Sequence, residues 1–280
     1  TTTDDVSLAV NGTGLFFELL PINRNSLDEA GFDSSLDFYP PYAVNAVDSR
    51  RILFGTSFLY ESFNQGSSLT ALGGITKGNI LQQFVGAGEK PANPVGKVSA
   101  LAYGGRLNGN AVADVAYIGL EDSAAPLVGG AGLLRLRKPG ESVHSVVTGY
   151  IGESVRDLVL DPDNWQHVFV LDKRGAVWYS ADAGATPFTK LAILGGWGIG
   201  LSTNLKTIEF ARINGQEVLF VGGLGGGFRA INPLGGSPTF AEVGAGLPNT
   251  IVTDVHYNVA DDVLLAATLG RGAFPITGQK

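Results

Sequence analysis

Residues 155–190 read VRDLVLDPDNWQHVFVLDKRGAVWYSADAGATPFTK. An alternating run, Val155–Leu160, leads into the turn Asp161-Pro162-Asp163-Asn164. A second apolar run, His167–Leu171, ends in Asp172-Lys173-Arg174-Gly175, and a third, Ala176–Tyr179, ends in Ser180-Ala181-Asp182-Ala183-Gly184. A fourth begins near Phe188. Short apolar segments separated by turn chemistry predict an antiparallel unit of four strands, as in a β-sandwich, barrel or propeller.

The same pattern returns four more times, which makes a repeat architecture the first expectation. Its most legible piece is an apolar strand: Ile52–Thr56, Val115–Gly119, Val168–Asp172, Val218–Gly222 and Val263–Ala267. An alternating strand precedes each one: Ala43–Val47, Val98–Tyr103, Val155–Leu160, Leu205–Phe210 and Val252–Tyr257. Alternation implies that one face packs against the next repeat. A third strand follows at Phe58–Glu61, Gly132–Leu136, Ala176–Tyr179, Gly227–Ile231 and Gly272–Ile276. A fourth is expected near Leu69–Leu72, His144–Thr148, Phe188–Ile193 and Phe240–Val243, and the fifth repeat stops after three.

The expected fold class is all-β, a β-propeller of four-stranded antiparallel blades with five blades apparent. The alternative is the C-terminal part of a six- to eight-bladed ring. One domain is expected over 1–280, with repeats at about 41–74, 98–150, 155–193, 205–248 and 252–280 and with residues 1–40 as a closing strand and loop. In that N-terminal part Val6–Val10 and Leu15–Leu20 read as strands joined by Asn11-Gly12-Thr13-Gly14, which an open ring would use to cover its last edge. The irregular stretches Ile75–Lys97 and Glu121–Gly130 read as insertions, where binding function concentrates on β scaffolds.

Composition narrows the function classes. The 280 residues carry 40 Gly and only 16% charged residues, the signature of a turn-rich β protein and not of a disordered one. There is no Cys, so neither a disulfide framework nor a Cys-based zinc site or nucleophile is available. There is no Met either, position 1 included, which points to a processed chain or a piece of a longer one. Thr1–Asp5 is polar and acidic, no signal peptide is visible, and no apolar run approaches ~18 residues, so no membrane insertion is expected. A net charge of −7 argues against nucleic acid as a partner. The short basic run Arg135-Leu136-Arg137-Lys138 reads as the solvated face of a strand.

Ser180-Ala181-Asp182-Ala183-Gly184-Ala185-Thr186, with Phe188 beyond Pro187, resembles the Asp-box, S-x-D-x-G-x-T-[WF]. Ser62-Phe63-Asn64-Gln65-Gly66-Ser67-Ser68 resembles a degenerate copy at the same place in the first repeat, and Asn232–Phe240 holds the place without the spelling. In such a turn the carboxylate or amide caps backbone N–H groups, Gly adopts a conformation costly to other residues, and the aromatic packs beneath. The chain thus resembles Asp-box (BNR-repeat) propellers of the sialidase-like superfamily, in particular propeller segments of large secreted or surface bacterial proteins. The resemblance implies an extracellular or cell-surface location. It makes Ser180, Asp182, Gly184, Thr186, Phe188, Ser62, Asn64 and Gly66 structural residues.

No catalytic set is legible. The F-R-I-P opening of sialidases is absent and no motif assigns three arginines to one site. Asp161 and Asp163 are explained by their turn, and the three histidines, His144, His167 and His256, fall in separate repeats without metal-ligand spacing. The Gly-rich runs match neither G-x-G-x-x-G nor a P-loop. No cofactor is expected, with a structural calcium ion left open. Trp178 is on a core strand, whereas Trp165 and Trp197 fall in turns and are the candidate ligand-binding residues, as platforms for sugar. The expected function is a non-catalytic binding or scaffold propeller that holds a protein or glycan partner, with other domains or a companion fragment of a larger precursor as further partners. The alternative is a glycan-active hydrolase or lyase on the same fold.

Overall fold

The computed structural model describes residues 6–11, 14–20, 40–56, 58–74, 97–121, 133–142, 144–193, 204–235, 240–244, 246–248 and 250–279. They form 21 strands and, among the described residues, no helix. Trp197, the Gly195–Gly198 run and most of the two insertions lie outside the described residues. The chain divides into two compact units, one of residues 1–104, 111–126 and 135–146 and the other of residues 105–110, 127–134 and 147–280.

In the first unit β1 (Val6–Asn11) pairs with β2 (Gly14–Leu20), with Asn11 opposite Gly14. A four-stranded antiparallel ladder runs in sequence order through β3 (Tyr42–Val44), β4 (Ile52–Gly55), β5 (Phe58–Ser62) and β6 (Thr70–Gly74). A second runs through β7 (Lys97–Leu107), β8 (Asn110–Glu121), β9 (Leu134–Arg137) and β10 (Ser145–Val146). Leu53, Leu59, Tyr117 and Ile118 are among the largest fully buried side chains in the described residues of these strands.

The second unit repeats the ladder. Its sheets are β11 (Val155–Asp161), β12 (Asn164–Asp172), β13 (Ala176–Ser180) and β14 (Thr189–Ile193), then β15 (Leu205–Ile213), β16 (Gln216–Gly223), β17 (Gly226–Ile231) and β18 (Phe240–Val243). The last is three-stranded: β19 (Val252–Asn258), β20 (Val263–Thr268) and β21 (Gly272–Thr277). The pairing register breaks at the same step of each first strand, after Val155, Leu205 and Val252. A recurring bulge of this kind bends each strand at one place and re-aims the next side chain.

These three sheets pack face to face. Phe169, Leu171 and Val177 meet Phe210, Leu219 and Val221 in one apolar layer, with the rings of Phe169 and Phe210 stacked at 4.7 Å. Val218 and Phe220 point the other way and meet Val255, Tyr257 and Leu264, with Phe220 and Tyr257 stacked at 5.6 Å. The middle sheet is therefore apolar on both faces, which is why Val218–Val221 is an unbroken apolar run and not an alternating one. Each large side chain buried this way contributes roughly 1.5–3 kcal/mol.

Two expectations need correction. Arg135 and Arg137 are not on a solvated face: they are 3% and 6% exposed, because β9 turns both into the first unit, where Arg137 meets an acidic partner from β5. Trp165 is not in a turn: the Asp161–Asn164 reversal is tight, with Asp161 Oδ1 accepting from the Asp163 N–H at 2.9 Å, so Trp165 already belongs to β12.

Candidate functional site

Two turns are built alike. In the second unit Ser180 Oγ accepts from the N–H groups of Asp182 and Gly184 at 3.3 and 2.8 Å and donates to Asp182 Oδ1 at 2.9 Å. Asp182 Oδ2 accepts from the Thr186 N–H and Oγ1 at 3.1 and 2.7 Å. In the first unit Ser62 Oγ accepts from Asn64 and Gly66 N–H at 3.3 and 2.8 Å and donates to Asn64 Oδ1 at 3.0 Å, while Asn64 Oδ1 accepts from the Ser68 N–H at 2.9 Å. The residue before each Gly, Gln65 or Ala183, is left-handed at φ 59°. Gly184 has a further reason to lack a side chain, since a Cβ there would sit 2.1 Å from Val147 Cγ1. Phe188 is buried beneath its turn against the Tyr150 ring at 5.5 Å.

The two turns differ in what they project. Ala181 fills the second position of one; Phe63 fills it in the other and is 57% exposed. Phe63 rests on an organised cluster in the first unit. The Arg51 guanidinium lies 4.8 Å from the Phe63 ring centre. Arg51 donates from Nε to Tyr103 Oη at 2.5 Å, from Nη1 to Asp114 Oδ1 at 2.7 Å and from Nη2 to Glu61 Oε1 at 3.2 Å. Glu61 also accepts a bidentate pair from Arg137, at 2.7 and 3.0 Å, and a hydrogen bond from the Tyr103 hydroxyl. Burial pushes the Glu61 carboxyl up, but the bonds from Arg137, Tyr103 and Arg51 outweigh it and hold it below the usual carboxylate range. Burial and the neighbouring carboxylate raise Tyr103 to about 12. His144 lies within the field of Arg137, Glu61 and Arg135, 2% exposed and with neither ring nitrogen hydrogen-bonded; burial drives its pKa down to about 3, so it is neutral at ordinary pH.

The second unit carries an acidic row along its first strands. Asp157 on β11, Thr207 on β15 and Asp254 on β19 hold equivalent positions just past the shared bulge. Asp157 Oδ2 accepts from the Ile208 N–H at 2.8 Å, Thr207 Oγ1 accepts from the Val255 N–H at 3.3 Å and Glu209 Oε1 accepts from the Tyr257 N–H at 3.2 Å. Each side chain therefore reaches the backbone of the following sheet. Desolvation by the surrounding protein raises Asp157 to about 7 and Glu209 to about 8, with the mutual repulsion of the row adding to both, and it raises Asp254 as well. By residue, Asp157 and Glu209 are half-buried and Asp254 is exposed; the Glu209 side chain is 14% exposed. A separate cleft of about 540 Å³ opens between Arg229 and Glu242 on one side and Phe274–Gln279 on the other.

Of the two predicted sugar platforms, Trp165 is 5% exposed, with its indole N–H unpartnered, and turns its ring into the protein. Among the described residues no group of three or more His, Asp or Glu is placed to hold a metal ion. The cluster around Arg51 was not read from the sequence, because its members come from five strands or their flanks. One local signal existed: an aromatic at a turn position that tolerates Ala.

No protein-family model and no curated protein sequence matches the chain. Solved structures do. An ancestral GH74 enzyme aligns with a TM-score of 0.54 at 16% identity, over 84% of this chain and 30% of that one. The extracellular domain of BT4673 from B. thetaiotaomicron aligns with a TM-score of 0.54 at 14% identity, over 89% of this chain and 29% of that one. YCF48 from Cyanidioschyzon merolae aligns with a TM-score of 0.51 at 10% identity, over 89% of this chain and 69% of that one. The chain has a β-propeller-type fold. It spans under a third of the length of the GH74 and BT4673 chains.

Proposed function

We propose that this chain is a non-catalytic, Asp-box propeller of five blades that acts outside the cell or at its surface as a binding scaffold for a protein or glycan. The observation that carries this reading is how the polar side chains are spent. Asp157 and Glu209 bond to backbone N–H groups of the next sheet, the two Ser-x-Asp/Asn turns close on themselves, and the Glu61 cluster neutralises its own charges. What remains free is surface, with Phe63 the most exposed large apolar side chain among the described residues. Likeness to an extracellular domain supports the location, and among the described residues no helix is long and apolar enough to cross a membrane.

One observation favours the second reading, a glycan-active enzyme. Asp157, Glu209 and Asp254 lie on neighbouring first strands, and desolvation raises their affinity for protons, as a general acid requires. Incubation of the purified chain with a panel of soluble polysaccharides, assayed for both retention and newly formed reducing ends, separates the two. Retention without new ends supports the scaffold, whereas turnover abolished by Asp157→Asn or Glu209→Gln replaces it with the enzyme.

A further inference from the structure

We propose that Phe63, Arg51 and Asp114 form a saccharide-binding platform that takes a neutral hexopyranose polymer. This names the ligand class of the scaffold reading above and rests on it.

The hydrogen bonds of the two turns match, and the residue at the projecting position is Ala181 in one and Phe63 in the other. The turn therefore does not need an aromatic there. Leaving a Phe ring 57% exposed forfeits the favourable removal of its surface from water. Contact with Arg51 accounts for part of that ring, and a ligand would account for the exposed remainder.

The surroundings specify the chemistry. The guanidinium of Arg51 sits over the Phe63 ring and leaves more than half of the side chain to solvent. The C–H face of a pyranose ring is apolar and slightly positive, and it stacks on the negative face of an aromatic. Arg51 cannot drift, being held by Tyr103, Asp114 and Glu61, so the platform loses little conformational freedom when a ligand arrives. The same guanidinium fixes Asp114 Oδ1, while the Asp114 side chain stays 55% exposed. A carboxylate held on the same guanidinium as the ring accepts the outward hydroxyls of a sugar. The positive charge of Arg51 is already balanced by Glu61 and Asp114, so the site carries no surplus cation to select an acidic sugar.

Phe63→Ala is a mild change, since the equivalent turn carries Ala181. The test measures binding of wild type, Phe63→Ala, Asp114→Asn and the control Ala181→Phe to soluble mixed-linkage β-glucan, mannan and starch by affinity electrophoresis. The expected result is retention of wild type on at least one polymer, weakened about 10- to 100-fold in Phe63→Ala and several-fold in Asp114→Asn, with Ala181→Phe unchanged. Wild-type retention that survives Phe63→Ala overturns this site and leaves the scaffold reading in place. No retention of wild type on any polymer overturns the saccharide. If gel filtration then shows a Phe63-dependent dimer, the occupant is a second copy. Turnover of a polymer removes the scaffold reading itself, and the site then stands or falls on whether Phe63→Ala changes KM with kcat untouched.

Discussion

Removal of Glu61 should be among the costliest single changes in the first unit. Its side chain is 3% exposed, and those of Arg137 and Arg51 are 7% and 11% exposed. In Glu61→Ala, Arg51 keeps Asp114 as a counter-ion, but Arg137 loses its bidentate carboxylate and is left with neutral contacts, the bond from its Nε to the Asp114 carbonyl at 3.0 Å and the Tyr103 side chain. A buried guanidinium without a counter-charge costs about 3–5 kcal/mol. At ~1.4 kcal/mol per tenfold, amide exchange in β4, β5 and β8 should accelerate by about two to nearly four orders of magnitude, measured by hydrogen exchange with mass spectrometry. Hydrogen exchange reads the strands around Glu61 directly, whereas Trp165 and Trp178 belong to the second unit. Glu61→Leu combined with Arg137→Met should recover most of the protection, because it removes both charges together. Acceleration by less than about tenfold in Glu61→Ala, or no recovery in the double variant, would refute the claim that charge pairing holds this cluster. The pH dependence has a definite sign: Glu61 is held below the usual range, so its contribution is present above ~4.5 and is lost as the pH falls through its lowered folded value.

Other consequences are separately measurable. His144 has its pKa depressed from 6.5 to about 3, so folding opposes protonation and stability is lost as pH falls below 6.5; two units below that value the unfolded chain is favoured by ~2.7 kcal/mol from this group alone, and His144→Leu should flatten acid-induced exchange between pH 7 and 4.5. Asp157 has the opposite sign, because a carboxyl raised to about 7 stabilises below its ordinary value and loses that contribution as pH rises through 7. Asp157→Asn should therefore melt above wild type by a margin that grows from about pH 4 to about pH 7 and levels off above it, followed by tryptophan fluorescence, and a margin that does not change with pH would contradict it. Gly184→Ala should destabilise by about 1–3 kcal/mol through a Cβ 2.1 Å from Val147 at φ +74°, and adding Val147→Ala should return part of the loss in a thermal melt.

The strands were legible because their signal is local. Alternation at Val155–Leu160 and Val252–Tyr257, and the turn residues between runs, dictate where the chain reverses, and the observed strands begin and end within a few residues of those expected. The turn at Ser180–Thr186 was legible for the same reason: its bonds span at most four residues. Arg135 and Arg137 were misread because a four-residue window cannot contain their environment. Charge in an isolated strand implies solvent, and only a carboxylate 76 residues away in sequence reverses that. Trp165 was misplaced because exposure depends on how tightly the preceding turn closes.

By itself the sequence determined the repeating unit, the all-β class and the two matched turns, since each depends on backbone preference and side-chain periodicity over a few residues. Tertiary structure alone decided which polar groups are spent and which are left. It joined Arg51, Glu61, Tyr103, Asp114 and Arg137 into one neutralised cluster, set Asp157, Thr207 and Asp254 in a row, and left Phe63 in the open. The physical reason is that burial and electrostatic partnership are properties of neighbours in space, and in a sheet protein those neighbours are supplied by strands tens of residues apart.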